Sequence, residues 1–221
     1  PPPADAWGGA PRALTFFPGG ADEGRGHWTA GGVWQIAPMF TASYARGLGD
    51  GFSADARLQT VVIYNQLGIG GQWAAQVGPF SVAPMLHLDG FFGTLGKLFV
   101  QTSEFDSVGW GLLLDPGIRV GMRVARDAWL TLQVESYLSL YQAAKLGDLV
   151  LSPDSRTWEG VGASLIVEYA TRSAGVVYYG VSLYDTRANY PLWFNVESTG
   201  SSESVSPKKI LYLGLLAGYE F

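Results

Sequence analysis

Ile210-Leu-Tyr-Leu-Gly-Leu-Leu-Ala-Gly-Tyr-Glu-Phe221 alternates without a break. Successive strand side chains point to opposite faces, so Leu211, Leu213, Leu215, Ala217, Tyr219 and Phe221 share one side. Ile210, Tyr212, Gly214, Leu216, Gly218 and Glu220 share the other. One face is apolar and ends on an aromatic residue; the other mixes small, aromatic and acidic groups.

Residues 107–125 repeat the pattern over a longer span. Val108, Trp110, Leu112, Leu114, Pro116, Ile118, Val120, Met122 and Val124 hold one parity, and Asp115, Arg119 and Arg123 sit among glycines on the other. Asp115-Pro-Gly117 is a turn signal, but a hairpin there leaves a first arm shorter than the ~9–11 residues that span a bilayer. Unbroken phase favours one long strand. Pro116 removes a ladder donor, which predicts a bulge near it, and Pro38 and Pro84 raise the same difficulty.

The alternation continues through 27–46, 51–65, 67–77, 79–92, 128–142, 156–171 and 175–189. With 107–125 and the C-terminal segment this makes nine strands, whereas single-chain bacterial barrels have an even number. The best tenth candidate is 12–17, with 97–103 and 192–196 as alternatives. Connections at 46–51, 77–79, 125–128 and 171–175 are then short and lie at one end. Those at 93–106, 142–156 and 189–208 are longer and lie at the other, with a tight turn at Asn65-Gln66 as the exception. Residues 198–207 read as a polar loop.

The chain of 221 residues is 15% charged and 14% aromatic, with 30 glycines and no cysteine. Mean hydropathy is +0.13, yet no apolar run is long enough for a transmembrane helix. Apolar content without apolar runs is what alternation produces. A formal charge of −5 gives no reason to expect nucleic acid as a partner. Residues 1–26 form a Pro/Gly-rich tail that includes the candidate first strand, and 27–221 form a single barrel domain. Pro1-Pro-Pro-Ala-Asp-Ala carries no basic segment followed by an apolar stretch, so a secretory signal is expected to have been removed.

The terminal pattern resembles the C-terminal strand of bacterial outer-membrane β-barrels. That resemblance implies an assembly signal at Tyr219 and Phe221, read by barrel-assembly machinery, and outer-membrane lipid as surroundings. The polar parity supports an outward apolar face: it carries Gly, Ser, Thr, Gln and Tyr with isolated charges, where a water-facing side would be studded with Lys and Glu. The expected fold is therefore all-β, a transmembrane antiparallel up-and-down barrel of about ten strands, range 8–12. Trp28, Trp129, Tyr141, Trp158, Tyr169 and Tyr219 suit interfacial girdles, although Trp158 shares parity with Glu168 and should point inward.

The inward parity collects Arg57, Gln72, His87, Asp89, Asp115, Arg119, Arg123, Gln133, Glu135, Glu168, Tyr178, Tyr184 and Tyr212. Mixed signs predict mutual pairing, since isolated charges in a confined interior require partners. A turn centred on Asp127 would set Arg119 opposite Glu135 and Asp115 opposite Ser139. His27 and His87, on the lumen parity and near the outer rim, with Asp89 beside His87, carry the alternative of a rim hydrolase. No serine is assignable as nucleophile. Gly68-Ile-Gly-Gly71 and Gly47-Leu-Gly-Asp-Gly51 open no helix and are turn or strand glycines. No metal-ligand spacing appears, and no cofactor is expected. The function read from these residues is a small channel, or a structural and envelope-interaction barrel with a charge-paired lumen. A place in a larger envelope assembly is a further alternative, with the extracellular loops or N-terminal tail as the protein-binding surface.

Overall fold

The computed structural model describes residues 14, 16–18, 24, 26–34, 38–61, 64–94, 107–146, 149–151, 158–171, 175–186, 194–199, 202–207 and 210–221. Its strands, in chain order, are β1 (Gly26–Trp34), β2 (Pro38–Gly49), β3 (Phe52–Thr60), β4 (Tyr64–Trp73), β5 (Ala75–Val77), β6 (Phe80–Thr94) and β7 (Ser107–Ala125). They continue as β8 (Ala128–Leu146), β9 (Leu149–Leu151), β10 (Trp158–Ala170), β11 (Val176–Thr186), β12 (Phe194–Thr199), β13 (Ser202–Pro207) and β14 (Ile210–Glu220). Strands β4 and β5 follow one path, interrupted at Ala74, whose N–H donates to Gly51 O at 2.9 Å.

Each barrel strand pairs antiparallel with its neighbours, and two seams close the sheet: β8 with β10, and β14 with β1. Counting β4 and β5 as one, ten strands form the wall. Phe221 is stitched to the first strand by reciprocal backbone bonds with Trp28, 3.0 and 3.1 Å. Strands β12 and β13 pair as a separate two-stranded sheet, so the described residues of the expected loop 198–207 are strand, and Phe194–Val196 of the 192–196 candidate belongs to that sheet and not to the barrel wall. The 97–103 candidate lies outside the described residues.

The tenth strand comes from an unexpected place. Residues 27–46 form two strands, β1 and β2, with Trp34 opposite Pro38. The wall has its ten strands without the 12–17 candidate, whose described residues are outside the sheet, Phe16 and Phe17 lying in a bend. The turn expected at Asn65-Gln66 comes earlier, where Val61 and Tyr64 exchange backbone bonds of 2.8 and 3.3 Å, so Tyr64 begins β4 and is buried.

At one end of the barrel lie Gly26, Phe221 and four short turns. Asp50 and Gly51, both with positive φ (51° and 80°), join β2 to β3, as the favoured two-residue hairpin turns require. Gly78-Pro79 precedes β6, Arg126-Asp127 joins β7 to β8, and 171–175 joins β10 to β11. The strand ends Thr94, Ser107, Leu146, Trp158, Thr186 and Ile210, from which the longer connections leave, lie at the opposite end.

Strand β7 runs unbroken through Pro116. Its register shifts fall at Leu112/Leu113 and Arg123/Ala125, with no bulge at the proline, which stands opposite Leu86. The two-residue turn at 126–127 sets Ala125 opposite Ala128, one step from the expected register, and the irregularity at Arg123/Ala125 adds a second step, so Gly117 faces Glu135 and Arg119 faces Gln133. Both expected pairs, Arg119 with Glu135 and Asp115 with Ser139, are therefore corrected, although the side chains stay on the expected face. A second irregularity, between Trp158 and Gly160, turns Trp158 outward and buries Glu159.

Exposure alternates along nearly every strand. Leu67, Ile69, Leu86, Leu88, Leu132, Leu165, Val181, Leu211, Leu213 and Leu215 face outward, between ends that carry Trp28, Phe52, Trp73, Tyr141 and Tyr169. Large apolar side chains exposed all around a closed wall, with the polar residues buried inside, invert the arrangement of a water-soluble protein. The fold is a transmembrane barrel. Trp129, in contrast to the girdle reading, is buried in the interior.

Ile69 is 61% exposed near the middle of β4. Ile69→Arg should destabilise the barrel by about 2–4 kcal/mol, measured by urea unfolding in phospholipid vesicles, whereas Ile69→Leu should be nearly silent.

Candidate lumen site

Strand β4 is glycine-rich where its neighbours are charged. The register sets Arg57, Gly68 and Asp89 in one row across β3, β4 and β6, and Asp55, Gly70 and His87 in the next. A Cβ at Gly68 would overlap Asp89 Oδ1, and one at Gly70 would overlap the His87 ring. The missing side chains let groups two strands apart meet over the intervening backbone. Arg57 Nε donates to Asp89 Oδ1 at 3.0 Å, and its Nη2 reaches Asp89 Oδ2. His87 Nε2 lies 3.0 and 3.1 Å from the two oxygens of Asp55.

The network extends along the wall. Arg57 Nη2 donates to Asp115 Oδ2 at 2.7 Å, and its Nη1 lies 3.9 Å from Glu135 Oε2. Glu135 accepts from Tyr137 Oη at 2.8 Å and from Gln133 Nε2 at 3.2 Å. Gln133 Oε1 in turn accepts from Arg119 Nε at 2.8 Å, and Arg119 Nη1 donates to Gln72 Oε1 at 3.1 Å. Asp89 and Asp115 are fully buried. A guanidinium shared among three carboxylates is the kind of partnering that burial of these charges demands.

The opposite wall is quieter. Thr29, Val33, Thr41, Ser43, Ala45, Ile166 and Leu216 line it, and Ser164 and Ser182 share a hydrogen bond of 2.7 Å. Between the walls lies a cavity of about 120 Å³, enough for several waters. Toward the long-loop end, Tyr64, Phe91, Leu113 and Tyr137 pack with Tyr184 into an aromatic layer. Toward the short-turn end, Leu14, Trp129 and Val176 form an apolar layer with Phe17 and Ala170.

Of the residues expected in the lumen, the charge wall joins Arg57, Gln72, Asp89, Asp115, Arg119, Gln133 and Glu135, and His87 lines the same cavity. Glu168 and Tyr178 are buried nearer the short turns, and Tyr184 lines the cavity. Arg123 is a correction: it is exposed at the turn end, where its Nε donates to Ala125 O at 3.1 Å and its guanidinium stands 5.3 Å from the Trp129 ring. The side chain of Tyr212 lies outside the described residues. Tyr219 and Phe221 stack with ring centroids 5.9 Å apart at the closing seam.

The rim hydrolase arrangement does not form. His87 is 1% exposed, deep in the barrel, and its carboxylate is Asp55, while Asp89 is committed to Arg57. His27 lies at the short-turn end, opposite Ala45, and not at the long-loop rim. Asp55 was missing from the candidates although it shares parity with Arg57. Its pairing depends on Gly70, a residue whose absence of a side chain is the signal.

No protein-family model matches the sequence, and no curated protein does. Among solved structures, the chain is similar to one described as "KdgM porin", at 9% identity, over 88% of this chain and 98% of that one, TM-score 0.46. It is similar also to "NanC porin structure in rhombohedral crystal form", at 8% identity over 88% and 98%, TM-score 0.47. A third is "Translocator domain of autotransporter NalP from Neisseria meningitidis", at 12% identity over 89% and 86%, TM-score 0.45.

Two glycine substitutions separate the row argument from general glycine effects. Gly68→Ala forces Asp89 to move and should cost about 1–3 kcal/mol. Gly90→Ala, whose Cβ would meet nothing nearer than 3.7 Å, should change stability little. Arg57→Met strands buried carboxylates and should cost about 3–5 kcal/mol. Equilibrium unfolding in vesicles reads all three.

Proposed function

We propose that this chain is a narrow, cation-preferring channel of a bacterial outer membrane. The observation that carries the reading is the imbalance of charge inside the wall. Among the described residues, the interior holds the arginines Arg57 and Arg119 against the carboxylates of Asp55, Asp89, Asp115, Glu135, Glu159, Glu168 and Glu220. Rings of acidic side chains in a low-dielectric pore lower the energy of an entering cation and raise that of an anion. The arginines are held by carboxylates or amides on the same wall, so they neutralise the acidic groups around them and offer little to a passing anion.

Transport in this reading is passive. A small hydrated cation would cross the aqueous cavity between the charged wall and the hydroxyl-bearing wall, exchanging its waters for Asp55, Glu135 and the serine pair. The second reading, a sealed barrel with a structural or envelope-interaction role, is favoured by the apolar layers above and below the cavity. Narrow barrels are commonly filled by their own side chains.

Planar-bilayer recordings under a KCl gradient distinguish the two. A channel should show a reversal potential of cation-selective sign, reduced in Asp55→Asn and unchanged in Asp50→Asn, which alters an exposed turn residue. An anion-selective potential would overturn the charge argument, and a bilayer that stays sealed under all voltages would favour the structural reading.

A further inference from the structure

We infer that the short-turn end of the lumen is a binding site for the chain's own N-terminal segment, and that residues 14, 16, 17 and 18 act there as a releasable stopper. The seat is built from five strands, β6, β7, β8, β10 and β11. Phe16 N–H donates to Glu168 Oε1 at 2.9 Å, and Ser81 Oγ donates to Pro18 O at 2.7 Å. The Phe16 ring lies 4.9 Å from Tyr178 and 5.8 Å from the Arg119 guanidinium. Leu14 is 2% exposed, packed with Trp129 and Val176.

The wall is shaped for this occupant. A Cβ at Gly121 would stand 2.7 Å from both Phe17 and Pro18, so the glycine leaves space that the segment fills. Glu168, fully buried, has a backbone amide of the segment as its partner. A buried acid that accepts from the segment's amides, while also meeting Glu220, favours the seated segment, because a buried carboxylate with fewer partners is costly.

Release is feasible because the wall does not depend on the segment. The barrel closes through β1–β14 and β8–β10, and Phe16, Phe17 and Pro18 lie in a bend and turn. Among the described residues the segment is held by the Phe16 and Phe17 amides on Glu168, by Ser81 on Pro18 O and by a few ring contacts, none of which belongs to a sheet ladder. Local opening of such weakly tied elements lies well below the cost of global unfolding. With the segment seated, Leu14 and Phe16 line the floor of the central cavity; with it withdrawn, that floor opens toward the short-turn end.

This gating role rests on the channel reading, and two readouts keep them apart. In the full-length protein in detergent, the Phe16 amide should exchange at least about 100-fold more slowly than in an unstructured peptide. The Leu14→Ser/Phe16→Ala variant empties the seat from the segment's side, and Gly121→Leu fills it from the wall's side. Both should release residue 16 to fast exchange while strand amides stay protected, and both should raise open probability severalfold. Fast exchange of Phe16 in the unaltered protein overturns the seat. Released segments with unchanged conductance overturn the stopper. Silence in every variant, with residue 16 released, overturns the channel reading itself and the stopper with it.

Discussion

A ten-stranded wall encloses a space too narrow to be left to bulk water, so each polar group that points inward must be satisfied by another inward group. Arg57 is where this constraint is tightest. Its guanidinium holds Asp89 and Asp115 and approaches Glu135, which ties β3, β6, β7 and β8 together across the interior. The glycines of β4 are the condition for that contact, since a side chain at Gly68 would stand between the two partners. Sequence small at one strand permits charge at its neighbours.

The outward face obeys the opposite demand. Lipid cannot solvate a polar group, so the exposed parity of β6, β10, β11 and β14 is built from Leu, Val and aromatic residues. Period two serves both faces at once, and local stability and function draw on the same alternation. The interior then divides into layers: aromatic toward the long loops, ionic around a cavity in the middle, apolar toward the short turns. In the proposed channel a passage through such a stack needs a layer that can move, and the N-terminal segment, which lies outside the sheet, is the proposed one.

Much of the wall was legible because alternation reports faces directly. The outward series of β7 and β14, the short and long ends, and most inward residues follow from parity alone. The hairpin inside 27–46 escaped for a definite reason. Trp34 opposite Pro38 and Trp28 opposite Tyr44 are residues of equal parity, so the register between β1 and β2 leaves the phase intact. Between β3 and β4, Thr60 faces Asn65, parity flips, and a turn was anticipated, though placed slightly late. Trp158 turned outward because the irregularity before Gly160 inserts a residue that no periodic reading can foresee. The pairing of Asp55 with His87 depends on register across three strands, and register is set by turn lengths more than by composition.

The central claim is a barrel whose apolar parity meets lipid and whose polar parity is sealed inside. The chain contains no cysteine, so single spin labels can be placed cleanly. Labels at Val82, Ala83, Pro84, Met85, Leu86, His87 and Leu88, in protein reconstituted in vesicles, give the most direct test through paired oxygen and nickel-chelate accessibility. Pro84, Leu86 and Leu88 should be oxygen-accessible and shielded from the chelate, alternating with restricted, inaccessible labels at Ala83, Met85 and His87. Chelate-accessible labels at Leu86 and Leu88, or no alternation along β6, would contradict the account.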